Sequence, residues 1–132
     1  MNTKDVGDIS EAMVLAELVK RGKHVLLPFG DNRRYDFVVD MEDGTFCRVQ
    51  VKTGRVVNGC VRISTSNYST KHQTHQSYRG SADIIAAYCK QTGKVYWLPV
   101  DEVGPREVLL RLEPTINNQE NRVRWASDYE FK

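Results

Sequence analysis

The sequence predicts an α/β domain, and three features carry that expectation. A helix-spaced segment follows Asp8-Ile9-Ser10-Glu11. Two period-two runs, Arg34 to Asp40 and Thr45 to Thr53, are joined across Glu42-Asp43-Gly44. Two further apolar runs, Ala82 to Cys89 and Val95 to Val100, come after a long polar stretch. Helical spacing at one end and strand alternation through the rest place one helix ahead of several strands. At 132 residues the chain reads as a single domain, 1–132, large enough for a real core.

The first helix is expected to open at Asp8 and run to about Arg21, with Gly22 as its stop. Ile9, Ala12, Met13, Ala16 and Val19 form its predicted apolar face. Glu11 stands three residues after Asp8, the spacing of a capping box, and also borders the apolar face. His24 to Phe29 reads as the first strand, ended by Pro28 and the Gly30-Asp31-Asn32 turn. In the second, Arg34 to Asp40, Tyr35, Phe37 and Val39 share one face, and Arg34, Asp36 and Val38 share the other. The Asp-Gly hairpin makes the third strand, Thr45 to Thr53, antiparallel to it. There Cys47, Val49 and Val51 face one way and Gln50 and Lys52 the other.

Val61 to Thr65 is expected as a further strand after Asn58-Gly59. Ser66 to Ser81 shows no periodicity, and a polar stretch of that length in a compact domain is functional or disordered. The runs Ala82 to Cys89 and Val95 to Val100 read as strands. Asp101-Glu102-Val103 reads as a turn of helix, and Val108 to Leu112 as a short apolar segment of open type. The polar tail from Asn117 carries Val123, Trp125, Ala126, Tyr129 and Phe131, placed to clip it to the body.

Composition excludes several classes. No apolar run approaches a membrane span, and the start Met-Asn-Thr-Lys-Asp lacks signal-peptide features, so the expected setting is cytoplasmic. Cys47, Cys60 and Cys89 are odd in number and widely spaced, which fits free thiols better than a disulfide framework or zinc site. The net charge of +2 is unevenly distributed. Residues 45–94 carry eight Lys/Arg against Asp83 alone, whereas the flanking segments are both net acidic. Asn67, Tyr68, His72, Gln73, His75, Gln76 and Tyr78 lie among those cations, a mixture suited to a phosphate backbone and its sugars. Asp83 is expected to pair with an arginine, and His72 and His75 have no Cys partners for a metal.

The chemistry gathers at Asp36, Gln50 and Lys52. Hydrolysis of a phosphodiester needs a positioned water, neutralised charge on the phosphate and help for the departing oxygen. A divalent cation held by oxygen ligands supplies most of this. Asp36 offers a carboxylate, Gln50 an amide oxygen and Val51 a main-chain carbonyl, a donor set of the hard type that Mg²⁺ prefers. Lys52 can orient the attacking water or stabilise charge on the phosphate. Glu11 would add a second carboxylate. Arg33, Arg34 and Arg55 flank these residues and are candidate phosphate contacts, as are Lys71, His72 and Arg79 in the basic third.

Gly7-x-x-x-Glu11 in the helix, Asp36 at a strand head and Gln50-Val51-Lys52 in the next strand resemble the PD-(D/E)xK nuclease superfamily. Within it the chain is most similar to the intron-encoded homing endonucleases and the archaeal Holliday-junction resolvases. The resemblance covers roughly residues 5–100. It implies a restriction-endonuclease-like core, a central mixed β-sheet flanked by helices in the order αβββαβ. It also implies a DNA endonuclease dependent on Mg²⁺ (or Mn²⁺), acting on double-stranded or branched DNA as a dimer or tetramer. Asp36, Gln50 and Lys52 match the catalytic motif, Glu11 matches the first-helix carboxylate, and Glu11, Asp36, Gln50 and Val51 would hold the metal. Tyr35 stands where the family name has Pro. Gln50 replaces the usual acid, as in the homing-endonuclease branch. The alternatives are a structure-specific resolvase and a DNA-binding module that keeps the fold without catalysis.

Overall fold

The computed structural model describes residues 1–30, 33–69, 71–114 and 123–131. Helix α1 spans Thr3–Lys20 and is followed by strands β1 (His24–Leu26), β2 (Phe37–Asp40), β3 (Phe46–Val57) and β4 (Cys60–Ser64). Then come β5 (Ser66–Ser69), β6 (Thr74–Ser77), β7 (Ile84–Cys89), β8 (Lys94–Pro99), β9 (Glu107–Arg111) and β10 (Arg124–Trp125). Short 3₁₀ turns occupy Val100–Glu102 and Ala126–Tyr129. Asp31 and Asn32 of the expected turn, and 117–122 of the tail, lie outside the described residues.

Helix α1 starts earlier than its sequence suggests. Asn2 is the N-cap, its side chain accepting a hydrogen bond from the Asp5 N–H at 2.9 Å. Asp8 and Glu11 therefore stand inside the helix, and the capping-box reading of Glu11 is corrected. The stop is as expected. Gly22, at φ +75°, donates to the Val19 carbonyl, and Lys23 donates to that of Leu18, the paired bonds of a Schellman ending.

The buried stripe of α1 is Ser10, Val14 and Leu18, four residues apart, in place of the expected Ile9–Met13–Val19 face. Val19 is 60% exposed and Ile9 43%. The stripe begins with a hydroxyl, which hides it from an apolar count. Ser10 is buried because its Oγ shares a 2.6 Å hydrogen bond with Thr53 Oγ1 on β3.

Strand β3 is the trunk of the sheet. Its first half pairs antiparallel with β2 (Phe37 opposite Val49), across the turn where Glu42 and Gly44 take positive φ. Residues 49–54 pair in parallel with β7, which pairs antiparallel with β8. Its far end turns at Asn58-Gly59 into β4, which continues to β9 and then β10. The sheet is thus mixed. Arg48 and Asp83 fix the start of the parallel pair, since Asp83 accepts from both the main chain and the guanidinium of Arg48. The arginine partner expected for Asp83 is Arg48.

Two apolar clusters flank the sheet. Val14 and Leu18 pack on Phe37, Val39, Val49, Val51, Ile84, Ala86 and Val95. Val61, Ile63, Tyr78, Ile85, Ala87, Tyr96, Leu98, Val108 and Leu110 build the other. The alternation of Ile84 and Ala86 with Ile85 and Ala87 puts β7 between the two, which explains its unbroken apolar run. The tail is clipped down as expected. Ala126 is buried, and Phe131 meets Trp97 edge-on at 4.6 Å between ring centroids. The three cysteines are free thiols.

Among the described residues α1 is the single α-helix. Where the αβββαβ order places a second helix, between the third strand and the parallel strand, the chain instead forms the two-stranded hairpin β5–β6. Its faces are both polar, so Ser66 to Ser77 carries no period-two signal. No helix among the described residues is long and apolar enough to cross a membrane.

Candidate active site

The site is built where β2 leaves β3. The Asp36 N–H donates to the Val49 carbonyl at 2.8 Å, the bond that ends the β2–β3 ladder. The next donor along the edge, the Val51 N–H, is taken by the Asp36 carboxylate, also at 2.8 Å. On the other side of the same residue, Gln50 Nε2 donates to the Val51 carbonyl at 3.2 Å. Both main-chain groups of Val51 are thereby held by side chains of the cluster.

Helix α1 brings in Glu11. Its neighbour Ser10 is locked onto Thr53, which sets Glu11 at the rim of a cleft of about 380 Å³ that Asp36, Gln50, Val51 and Lys52 also line. Glu11 and Asp36 line a second, adjoining hollow with Arg33 and Tyr35. Burial pushes the Glu11 carboxyl above its ordinary range, and the Asp36 and Asp8 carboxylates push the same way against Lys4. Asp36 is raised by burial too, although the Val51 N–H and the Lys52 charge oppose the rise. The charge of Asp36 thus adds to the cost of ionising Glu11 across the cleft.

The Lys52 ammonium is tethered at its far end. It donates to the Ser66 carbonyl at 3.2 Å and lies 4.8 Å from the centre of the Tyr78 ring. Arg34 lies 4.6 Å from the same ring and donates to Asn67 Oδ1 and the Gln76 carbonyl.

The structure therefore gathers Glu11, Asp36, Gln50, Val51 and Lys52, with Arg33 and Arg34 beside them. The other candidate DNA contacts lie elsewhere. Arg55 is exposed further along β3, opposite Arg62. Lys71 and His72 sit in the exposed turn between β5 and β6, and Arg79 donates to the Val103 carbonyl at 3.3 Å. His75 meets Ser66 Oγ and stacks edge-on with Tyr68. Among the described residues no three His, Cys, Asp or Glu side chains converge as a metal cluster. The donor set at the cleft is instead two carboxylates with amide and main-chain oxygens, which suits a cation that keeps much of its water. Tyr78 and the Ser66 carbonyl were not legible as part of the site. An aromatic among cations was the only sequence signal for Tyr78, and a main-chain oxygen leaves none.

An acid at the fork of β2 and β3, with a lysine beside it on β3, fits a class: nucleases that cut phosphodiester bonds within DNA. The chain belongs to the PD-(D/E)XK endonuclease family, whose model matches residues 1–132. Among solved structures it is similar to a bacterial homing endonuclease, I-Ssp6803I, with a TM-score of 0.76 and 29% sequence identity. That alignment covers 98% of this chain and 89% of the other. Comparison with curated proteins gives no match.

Proposed function

We propose that residues 1–132 form one nuclease domain, an intracellular Mg²⁺-dependent endonuclease of the homing type that acts on double-stranded DNA. The observation that carries this reading is the convergence of Glu11 and Asp36 on the β3 edge that presents Gln50, Val51 and Lys52. Asp36, Glu11, the Gln50 amide oxygen and the Val51 carbonyl would hold the ion, directly or through its waters. When bound, the ion would neutralise the scissile phosphate and lower the cost of making hydroxide. Lys52 carries a fixed positive charge toward the phosphate or the attacking water, and Arg33 and Arg34 bind neighbouring phosphates. In the free protein Gln50 points its NH₂ at the Val51 carbonyl, so metal loading requires that hydrogen bond to be exchanged.

A chain this small reading a long duplex site needs symmetry-related copies, so the working form is a homo-oligomer. Exposed Ile9, Met13 and Val19 on the outer side of α1 offer apolar surface for such contacts. The test sets a four-way junction, its linear duplex arms and a randomised duplex library side by side, with Mg²⁺. Cleavage confined to particular duplex sequences supports the homing reading. Cleavage of the junction alone would replace it with a resolvase. Salt-sensitive DNA binding without any cleavage would leave a binding module.

A further inference from the structure

We propose that Tyr78 is a positioning residue for Lys52, and that the base of the β5–β6 hairpin is the clamp through which it acts. The inference rests on the reading of Lys52 as a catalytic group.

Lys52 projects from the middle of β3, but a lysine side chain has four rotatable carbons and a large rotamer entropy to lose. The strand alone does not decide where its ammonium rests. Two groups hold it, and they come from the two feet of one hairpin. The Ser66 carbonyl belongs to the first residue of β5, and Tyr78 immediately follows the last residue of β6. The feet are joined by their own register, Ser66 opposite Ser77. Tyr78 and Ser66 are almost fully buried, at 4% and 3% exposure, so neither is free to wander. Arg34 completes the arrangement. It lies against the same ring and bonds to Asn67 and to the carbonyl of Gln76, which face one another across the hairpin.

A cation near an aromatic ring is held by the ring's quadrupole, and the attraction strengthens when the pair is withdrawn from water. The half-buried Lys52 beside buried Tyr78 meets that condition. The ammonium keeps its charge and its remaining donors for the phosphate, because the ring takes up none of its N–H bonds and Ser66 takes one. The hairpin therefore does more than extend the DNA-facing surface. It fixes the position of the lysine, and it fixes Arg34 by the same ring.

The test is a series at position 78 that changes the quadrupole and leaves the shape nearly constant. Tyr78→Phe is the reference, followed by Phe analogues with one, two, three and five ring fluorines. Single-turnover cleavage is measured with Mg²⁺ on the DNA that the wild type cuts fastest, beside DNA affinity, melting temperature and the Lys52→Ala variant. Tyr78→Phe is expected to cleave like the wild type. The rate should then fall stepwise with fluorination, by roughly two- to thirtyfold across the series, and by clearly more than any loss of affinity through Arg34 or of stability through the weakened ring contacts. NMR supplies a readout free of activity and metal. Ring current should displace the Lys52 Cε–Hε signals in the wild type, and Tyr78→Leu should return them to ordinary values. A flat rate across the series, or a fall matched by equal losses of affinity or stability, overturns the positioning role while Lys52→Ala still abolishes cleavage. Unimpaired cleavage by Lys52→Ala overturns the role of Lys52 itself.

Discussion

The Asp36 carboxylate accepts the Val51 N–H at 2.8 Å, standing where the backbone of β2 would have continued the ladder. One side chain thus finishes a sheet edge and offers its second oxygen to the cleft. Asp36→Asn separates the two tasks, since the amide oxygen can still accept from Val51 but the charge is gone. Its melting temperature is expected to equal or exceed that of the wild type, while cleavage falls on the order of a hundredfold or more. Calorimetry beside single-turnover kinetics checks this, and a large loss of stability would contradict it.

Gln50→Glu replaces the donor that now holds the Val51 carbonyl with a third carboxylate beside Glu11 and Asp36. Without metal it is expected to lower stability by about 1–3 kcal/mol, the cost of a broken bond with like charges added. With Mg²⁺ the gap is expected to narrow, because the extra charge tightens the ion and each tenfold gain in affinity over the wild type adds about 1.4 kcal/mol at saturating ion. Melting curves with and without Mg²⁺ decide it. A variant equally stable in both conditions would show that Gln50 lies outside the ion's reach.

The carboxyls of Glu11 and Asp36 are both raised, so near their titration range the folded chain binds more protons than the unfolded chain. The contribution of these two groups to stability is therefore greatest below the ordinary carboxylate range and is lost as pH rises through that range toward the raised values. Glu11→Gln removes part of this penalty and is expected to raise the melting temperature at neutral pH while impairing cleavage. In the wild type, Mg²⁺ affinity should begin to fall on the acid side at a pH above the ordinary carboxylate range, because both groups must lose protons to hold the ion. A melting temperature lowered by Glu11→Gln would contradict the assignment of repulsion at the cleft.

Gly54 sits where β3 passes between β7 and β4. A Cβ placed there would come within 2.9 Å of Val61 Cγ1 and 3.4 Å of Ile63 Cγ1. Both neighbours are fully buried, so Gly54→Ala is expected to cost about 1–3 kcal/mol by overpacking. Gly7 has open space around it in α1, and Gly7→Ala should instead add about 0.5–1 kcal/mol. Denaturant melts of the two variants give the comparison, and equal destabilisation would contradict it.

What could be read from the residues alone was the sheet and the heart of the cleft. The Asp43-Gly44 hairpin announced itself by turn chemistry, and period-two alternation set Gln50 and Lys52 on one face of β3. The helix misled at its start because a cap is one side-chain hydrogen bond, and Asn2 makes it as well as Asp8 would. Its face was misread because Ser10, the position that ties the stripe to β3, is polar and is buried against Thr53. The hairpin β5–β6 left no pattern, since strands that are polar on both faces lack the alternation that betrays a strand. Its link to Lys52 runs through a main-chain carbonyl and a ring, and so depends on the fold rather than on any motif.

The central claim is that Lys52 and the acids at the β2–β3 fork cut DNA with the help of a divalent ion. The most direct measurement is the single-turnover cleavage rate of duplex DNA by the wild type and by Lys52→Ala, each with Mg²⁺ and with EDTA. The wild type should cut only with Mg²⁺, and Lys52→Ala should lose on the order of a hundredfold or more while binding DNA as before. Equal rates for the two proteins, or cleavage that survives EDTA, would contradict it.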